Sequence, residues 1–348
     1  MRKSGEECGC FFATPFWIGD KISDKPLDEE VMPLDRQAEH ILKQDPDTHF
    51  IVRYMPHEPK SWRDLHPDDL FLTETGQRMD TPSLASRAYW DASARFGQAV
   101  VQYVETRPWA SRVIGYWFGL RGEGTLLPVF QRWLYDHSPV MQKQWRAFLH
   151  EKYGSIDALR AAHRDPSTTF ENAMVPTDPL RGSAFEVSQS LYFQAADGNQ
   201  RLRDYLLLSR DLFHAGFRDI IFAMRDVLGR LGRERFVLFD ALKQSMQGWD
   251  IENFFNEKES STFVYPELLA GSGHMNVSEI LDDPKLDGLI TPHDYQARGI
   301  GGWFEPEGAV DSAVLRGKYF LCEMDTRTYC GKDHYGRAEN DKEFAAII

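Results

Sequence analysis

Six short apolar runs, rich in β-branched and aromatic residues, recur along this 348-residue chain, and longer helical patterns separate them. The runs are Cys10–Phe16, His49–Tyr54, Val113–Phe118, Arg235–Asp240, Leu286–Ile290 and Lys318–Glu323. None alternates cleanly between polar and apolar residues, and continuous apolar runs of this length are typical of strands buried on both faces. Because strands that alternate with helices indicate βαβ units, we expect an α/β fold around a parallel sheet.

Apolar residues repeat at helical spacing in the stretches between these runs. The helical stretches are Leu34–Lys43, Ser83–Thr106, Pro139–Tyr153, Ile156–Ala162 and Arg203–Leu231, the third and fourth being separated at Gly154. The sequence contains no linker, internal repeat or low-complexity tract, so residues 1–348 are expected to form a single domain. Residues 165–198 are the least regular part and predict a loop-rich excursion from it.

The charge and hydropathy of the chain limit the classes of partner. Lys and Arg number 40 and Asp and Glu 53, which gives a formal net charge of −13. An acidic chain is a poor general binder of nucleic acid, because the phosphate backbone attracts clustered cations. No apolar run reaches the ~18 residues that a transmembrane helix needs. Neither nucleic acid nor a membrane is therefore an expected partner.

The cysteines and the N-terminus bear on metal sites and on the compartment. The spacings of Cys8, Cys10, Cys322 and Cys330 match neither a zinc site nor a disulfide framework, so we expect these cysteines to be free thiols. We also expect the chain to use no metal and no cofactor. The N-terminus starts with basic residues, but Glu6 and Glu7 interrupt it and no long apolar segment follows. It is not a convincing signal peptide, and the sequence slightly favours the cytoplasm.

Two glutamates follow strand candidates at the position where α/β barrels build their active sites. Glu123 comes shortly after Val113–Phe118, and Glu323 ends the run Lys318–Glu323. In a (β/α)8 barrel the carboxyl ends of the strands carry the catalytic residues. Two facing carboxylates there can cleave a glycosidic bond, one as proton donor and the other as nucleophile. From position alone, a solvated loop residue is the more frequent explanation of any such glutamate.

After the Val113–Phe118 run the chain reads SPVMQKQWRAFLHEKYGSIDALRAAHRD, which resembles the stretch after strand four in family 42 glycoside hydrolases, the β-galactosidase-like enzymes of clan A. Further segments resemble strands three, six and seven of that family: FIVRYMPHEPKSWRDLHPDDL, DGLITPHDYQARGIGGW and VDSAVLRGKYFLCEMDTRTY. The resemblance covers about residues 10 to 335. It implies a (β/α)8 TIM barrel and a retaining, β-galactosidase-like glycoside hydrolase, with Glu123 as the acid/base and Glu323 as the nucleophile.

Counting strands supports this assignment and also predicts an incomplete barrel. Two strand candidates lie between Glu123 and Glu323, where the family requires strands five and six. The six runs therefore correspond to strands two to seven, no run is left for strands one or eight, and two edge strands would be open. One residue departs from the resemblance, since clan A enzymes usually carry Asn before the acid/base and Gly122 stands here.

Further residues near the predicted strand ends are candidates for binding substrate: Arg53, Trp62, Trp117, Arg121, Asp240, Tyr295, Arg298, Trp303 and Arg327. The resemblance implies that Tyr295 donates a hydrogen bond to the nucleophile. Arg298 and Arg327 would hold Glu323 ionised by their opposite charge. Asp240 is expected to bind a substrate hydroxyl. A buried ion pair is an equal alternative for Arg53, and core packing is an equal alternative for the three tryptophans.

Two other functions remain as alternatives. Gly122 and the two absent strands favour a non-catalytic or inactive carbohydrate-binding barrel fragment. An inverting enzyme, or a barrel enzyme of another class, would show a wider pair of carboxylates or a metal. The expected partner is a carbohydrate substrate, a homo-oligomer of the full-length protein stays open, and the sequence does not specify the sugar or the linkage.

Overall fold

The computed structural model of this chain describes residues 13–17, 27–56, 58–119, 135–177, 200–240, 277–292 and 309–323. Six parallel strands form its main sheet, in sequence order. They are β1 (Ala13–Trp17), β2 (His49–Tyr54), β5 (Val113–Gly119), β6 (Phe236–Asp240), β7 (Gly288–Pro292) and β8 (Tyr319–Glu323). Two further strands, β3 (Leu70–Leu72) and β4 (Arg78–Pro82), pair with each other in an antiparallel hairpin.

The strand order decides the fold class. A doubly wound sheet reverses its strand order at a switch point, whereas the strands of a (β/α)8 barrel follow one another in sequence. The six predicted strands are confirmed in the sequential order, and the largest difference within the described residues is that β7 begins at Gly288 rather than Leu286. Residues 10–12 of the first predicted strand lie outside the described residues. The fold is that of an incomplete (β/α)8 barrel within the described residues, with β1 and β8 at the two edges. The predicted absence of strands one and eight stays a prediction, because residues 1–12 and 324–348 lie outside those ranges.

Helices connect the strands. Their bounds are α1 Leu27–Gln44, α2 Lys60–Leu65, α3 Arg87–Val104, α4 Pro139–Tyr153, α5 Ile156–His163, α6 Gln200–Arg230, α7 Val277–Asp282 and α8 Val310–Leu315. The predicted break between α4 and α5 is confirmed. Gly154 ends α4 in the left-handed conformation, with φ +64°, and the Ser155 hydroxyl then accepts from the amide of Ala158 to cap α5.

Alternate residues of the strands pack into two separate cores. Phe50, Val52, Phe118 and Phe239 belong to the larger core, which they share with the helices. Their neighbours in sequence face the other way and form the smaller core, which contains Ile51, Trp117, Leu238 and Ile290. A barrel strand is buried on both faces in this way, by helices outside and by layers of side chains inside. We call the face of the smaller core the inner face.

The segment predicted as a loop-rich excursion is described in its first part. Residues 165–177 contain turns but neither helix nor strand, and residues 178–199 lie outside the described ranges. Side chains of the preceding helices hold this part, since Arg160 and Arg146 donate to the carbonyls of Thr168 and Ala173. The single-domain prediction stays a prediction. In the parts of the chain that the structure describes, no helix has the length and apolarity needed to cross a membrane.

Candidate active site

Three of the predicted site residues meet at the carboxyl ends of neighbouring strands. Arg53 is near the end of β2, Trp117 is in β5, and Asp240 is the last residue of β6. The sheet pairs Arg53 with Trp117 and Gly119 with Asp240. Because side chains alternate along a strand, Arg53 shares the face of Ile51 and Asp240 the face of Leu238. All three therefore lie on the inner face.

The three side chains form one contact group. Nη2 of Arg53 donates to Oδ2 of Asp240 at 3.3 Å. The guanidinium carbon of Arg53 lies 4.2 Å from the ring centroid of Trp117. Exposure is 10% for the Arg53 side chain, 0% for that of Asp240 and 1% for Trp117. Because a buried charge needs a partner, the ion pair stabilises both side chains in their buried positions.

For Arg53 and Trp117 the sequence left two roles open, namely substrate contact or a structural contact within the fold. The alternative of a buried ion pair is the one that the structure shows for Arg53, and Trp117 packs in the inner core with Arg53 over its ring. A contact between substrate and Arg53, Trp117 or Asp240 stays a prediction.

A glycine makes the ion pair sterically feasible. The strand β5 lies between β2 and β6, so the carboxylate of Asp240 must cross β5 to reach Arg53. It crosses at Gly119, where an added Cβ would lie 3.3 Å from both Cβ and Oδ2 of Asp240. Any larger side chain at this position would occupy the space through which the carboxylate passes.

The backbone of the predicted nucleophile lies at the same edge of the sheet. Glu323 is the last residue of β8 and is in register with Pro292, the last residue of β7. Six other predicted site residues lie outside the described residues and stay predictions: Arg121, Glu123, Tyr295, Arg298, Trp303 and Arg327. The distance between the two catalytic carboxyls stays a prediction as well.

Trp62 lies away from the inner face, in α2. The residue is 8% exposed and belongs to the core shared with the helices. Its ring stacks on the imidazole of His66, with centroids 4.6 Å apart, and meets the ring of Tyr89 edge-on. Core packing, the alternative that the sequence left open, is what the structure shows for Trp62, and a sugar contact by this ring stays a prediction.

The sequence reasoning missed a buried carboxylate beside the hairpin. Oδ1 of Asp136 accepts from the amides of Leu72 at 3.1 Å and Ser138 at 2.8 Å. The amide of His137 donates to the carbonyl of Leu72, so residues 135–138 are fixed against β3. Burial raises the pKa of Asp136. The local signal in the sequence was weak: Asp136 and Ser138 shortly precede Pro139, and this pattern is typical of a helix start.

A second unpredicted carboxylate, Asp204 of α6, is fully buried among three helices. Lys152 and Gln200 donate to its Oδ1 at 2.5 and 2.7 Å, and Tyr153 and His163 bond to its Oδ2 at 2.6 and 2.8 Å. Burial favours a raised pKa, but the four hydrogen bonds outweigh it and lower the pKa of Asp204 to about 2. These bonds use the acceptor capacity of the carboxylate, so Asp204 is a structural residue. No group of three or more His, Cys, Asp and Glu side chains in the described ranges is arranged to hold a metal ion.

No protein-family model and no curated protein matches this chain. Solved structures do match it. The catalytic domain of a β-amylase from Paenibacillus polymyxa is 14% identical, with a TM-score of 0.59 over 91% of this chain and 79% of that chain. A β-galactosidase from the psychrophilic Marinomonas ef1 is 15% identical, with a TM-score of 0.55 over 99% and 55%. A cold-adapted β-galactosidase from Rahnella sp. R3 is 13% identical, with a TM-score of 0.51 over 99% and 52%.

The chain has the fold of these glycosidases. At such identities the similarity shows the fold alone, and the chain spans about half the length of the two β-galactosidases. Because a β-amylase and β-galactosidases share this fold, the fold does not select the substrate.

Proposed function

We propose that this chain belongs to a retaining glycoside hydrolase that cleaves a β-linked glycoside, as a β-galactosidase does. The observation that carries the proposal is the position of Glu323, the last residue of the sixth strand in a sheet with the glycosidase fold. Position 323 comes two residues after Leu321, which packs against the inner core, so strand alternation assigns both positions to the inner face. The ion pair of Arg53 and Asp240 occupies the same face.

The mechanism that we propose has two displacement steps. The carboxylate of Glu323 attacks the anomeric carbon while Glu123 gives its proton to the leaving oxygen, which leaves a covalent glycosyl-enzyme. Glu123 then takes a proton from water, the water attacks the same carbon, and the bond to Glu323 breaks. This requires the two carboxyl groups to be about 5–5.5 Å apart. In its support, Glu123 follows β5 by four residues, and two strands separate β5 from β8.

The loops after the strands would supply the remaining groups. We propose that Tyr295, which follows β7, donates to Glu323 and that Arg298 and Arg327 favour its ionised form. Arg121 and Trp303 would contact the sugar.

Hydrolysis of a panel of aryl glycosides tests the proposal. Glu323→Gln should abolish turnover of every substrate. Glu123→Gln should spare substrates with very good leaving groups, because these need little protonation. Glu234→Gln is the matched control, since this exposed glutamate lies just before β6, at the opposite end of the strands. Equal loss of activated and unactivated substrates in Glu123→Gln would refute its role as the acid, and residual turnover in Glu323→Gln would refute the nucleophile.

A non-catalytic carbohydrate-binding barrel is the second candidate, and Gly122 is the observation that favours it. Hydrogen bonds to the 2-hydroxyl, which the Asn of clan A enzymes makes, contribute several kcal/mol in the transition state. This candidate predicts that the unmodified chain binds sugars, hydrolyses no glycoside of the panel, and binds equally well after Glu323→Gln.

A further inference from the structure

We propose that Asp240 is a positioning residue, which holds the guanidinium of Arg53 at the floor of the candidate active site, and that Gly119 leaves the space across which they meet. The inference rests on the proposed function, because it assigns Arg53 to the substrate side of the pair and Asp240 to its support.

Burial distinguishes the two members of the pair. The carboxylate of Asp240 is fully buried, whereas the side chain of Arg53 keeps 10% of its surface exposed. The exposed part of the pair therefore belongs to Arg53, so a ligand in the candidate active site would contact Arg53 rather than the carboxylate. Asp240 acts on such a ligand through Arg53 and not by direct contact.

The guanidinium is fixed from two sides. Trp117 lies against it at 4.2 Å, and Asp240 accepts its hydrogen bond at 3.3 Å. A planar guanidinium that is both stacked and hydrogen-bonded has few accessible rotamers, so its N–H groups point in defined directions. Defined N–H directions suit the hydroxyls of a sugar, and the ammonium of a lysine cannot reproduce them.

Gly119 offers a perturbation that changes no charge. A methyl group there would stand 3.3 Å from Oδ2 of Asp240, which is tight enough to displace the carboxylate by a few tenths of an ångström. The contact with Arg53 is already long at 3.3 Å, so a displacement of this size away from Arg53 would take it beyond hydrogen-bonding range.

A second buried ion pair serves as the control. Glu105, at the end of α3, accepts from Nε and Nη2 of Arg235 at 2.9 and 3.1 Å. Arg235 directly precedes β6, so this pair lies where the strand begins, at the opposite end from Asp240. Its loss should lower stability without touching the floor of the candidate active site.

The test measures kcat, KM and thermal unfolding for Arg53→Lys, Asp240→Asn, Gly119→Ala and the control Glu105→Gln, with the best aryl glycoside of the panel. The first three should each lower kcat/KM roughly tenfold or more, and Asp240→Asn should add little in the Arg53→Lys background. Glu105→Gln should lower Tm and leave kcat/KM within about twofold of the unmodified chain.

Several outcomes would overturn the inference. If Asp240→Asn and Gly119→Ala lower only Tm, as the control does, the pair is merely structural. Additive effects of Arg53→Lys and Asp240→Asn would show that Asp240 does not act through Arg53. If Asp240→Asn does not fold, Gly119→Ala decides. An unmodified chain that hydrolyses no glycoside refutes the proposed function and the inference together, whereas an active chain with unaffected variants refutes the inference alone.

Discussion

Replacing Asp204 by asparagine should destabilise the chain and change the pH dependence of its stability. The carboxylate is fully buried and receives four hydrogen bonds, from Lys152, Tyr153, His163 and Gln200. An asparagine keeps one oxygen, and its amide group would face donors instead of acceptors. The donors of α4 and α5 would then lose the partner that joins them to α6.

The magnitude follows from the pKa of Asp204. Burial alone would raise it, but the four hydrogen bonds lower it from 3.8 to about 2, which corresponds to at most about 2 kcal/mol of stability. Because the pKa is lower in the folded chain, this stability is fully present above the ordinary pKa and is lost as the pH falls towards 2. At neutral pH, Asp204→Asn should cost about 2–3 kcal/mol. This is below the ~3–5 kcal/mol of a fully buried broken pair, since the side chain of Lys152 is 30% exposed.

Urea unfolding, followed by far-ultraviolet circular dichroism at pH 7, 5, 4 and 3, measures both effects. The unmodified chain should lose about 1 kcal/mol more than Asp204→Asn between pH 5 and 3. Asp226→Asn is the control, because this exposed carboxylate lies in the same helix and pairs with Arg230 one turn away. Parallel stability curves for the unmodified chain and Asp204→Asn would refute the reasoning.

Two glycines of the packed interior give further predictions. Gly216→Ala should cost about 3 kcal/mol or prevent folding, because its Cβ would lie 2.0 Å from the ring of Trp90 between α3 and α6. Gly229→Ala in the same helix meets nothing within 4 Å and should stabilise by up to ~1 kcal/mol, so equal Tm values for the two variants would contradict the packing. Gly288→Ala should lower Tm as well, since its Cβ would lie 2.1 Å from the carbonyl oxygen of Tyr319 in β8; an unchanged Tm would exclude this close approach.

The sheet was predictable from the sequence because its strands are apolar on both faces. Continuous runs such as His49–Tyr54 differ from helical patterns by their length and composition alone. The six-residue helix α2 and the hairpin of β3 and β4 show neither a helical period nor a continuous apolar run as long as those of the main sheet, and they were missed.

The partners of charged residues were not predictable, because they depend on register. Arg53 was expected to contact either substrate or a carboxylate, and its partner Asp240 stands 187 residues further along the chain. Only the register of β2, β5 and β6 brings the two together over Gly119. Asp204 gave no signal at all, because an aspartate among polar residues at the start of a long helix is typical of a solvated face.

Two buried ion pairs lie at opposite ends of the sheet, and their positions match the separation of catalysis and stability in barrels. At the end where β6 begins, Glu105 accepts from Tyr116 at 2.9 Å as well as from two nitrogens of Arg235. That carboxylate is held by several short bonds, and its loss should unfold the chain more readily without changing what the site binds. At the opposite end, Arg53 and Asp240 are joined by one contact of 3.3 Å over a glycine. Barrel enzymes place catalysis at the carboxyl ends of the strands and stability at the other end. Because the pair of Arg53 and Asp240 lies at the carboxyl ends, its loss should change the orientation of Arg53 and hence kcat/KM, in addition to any loss of stability.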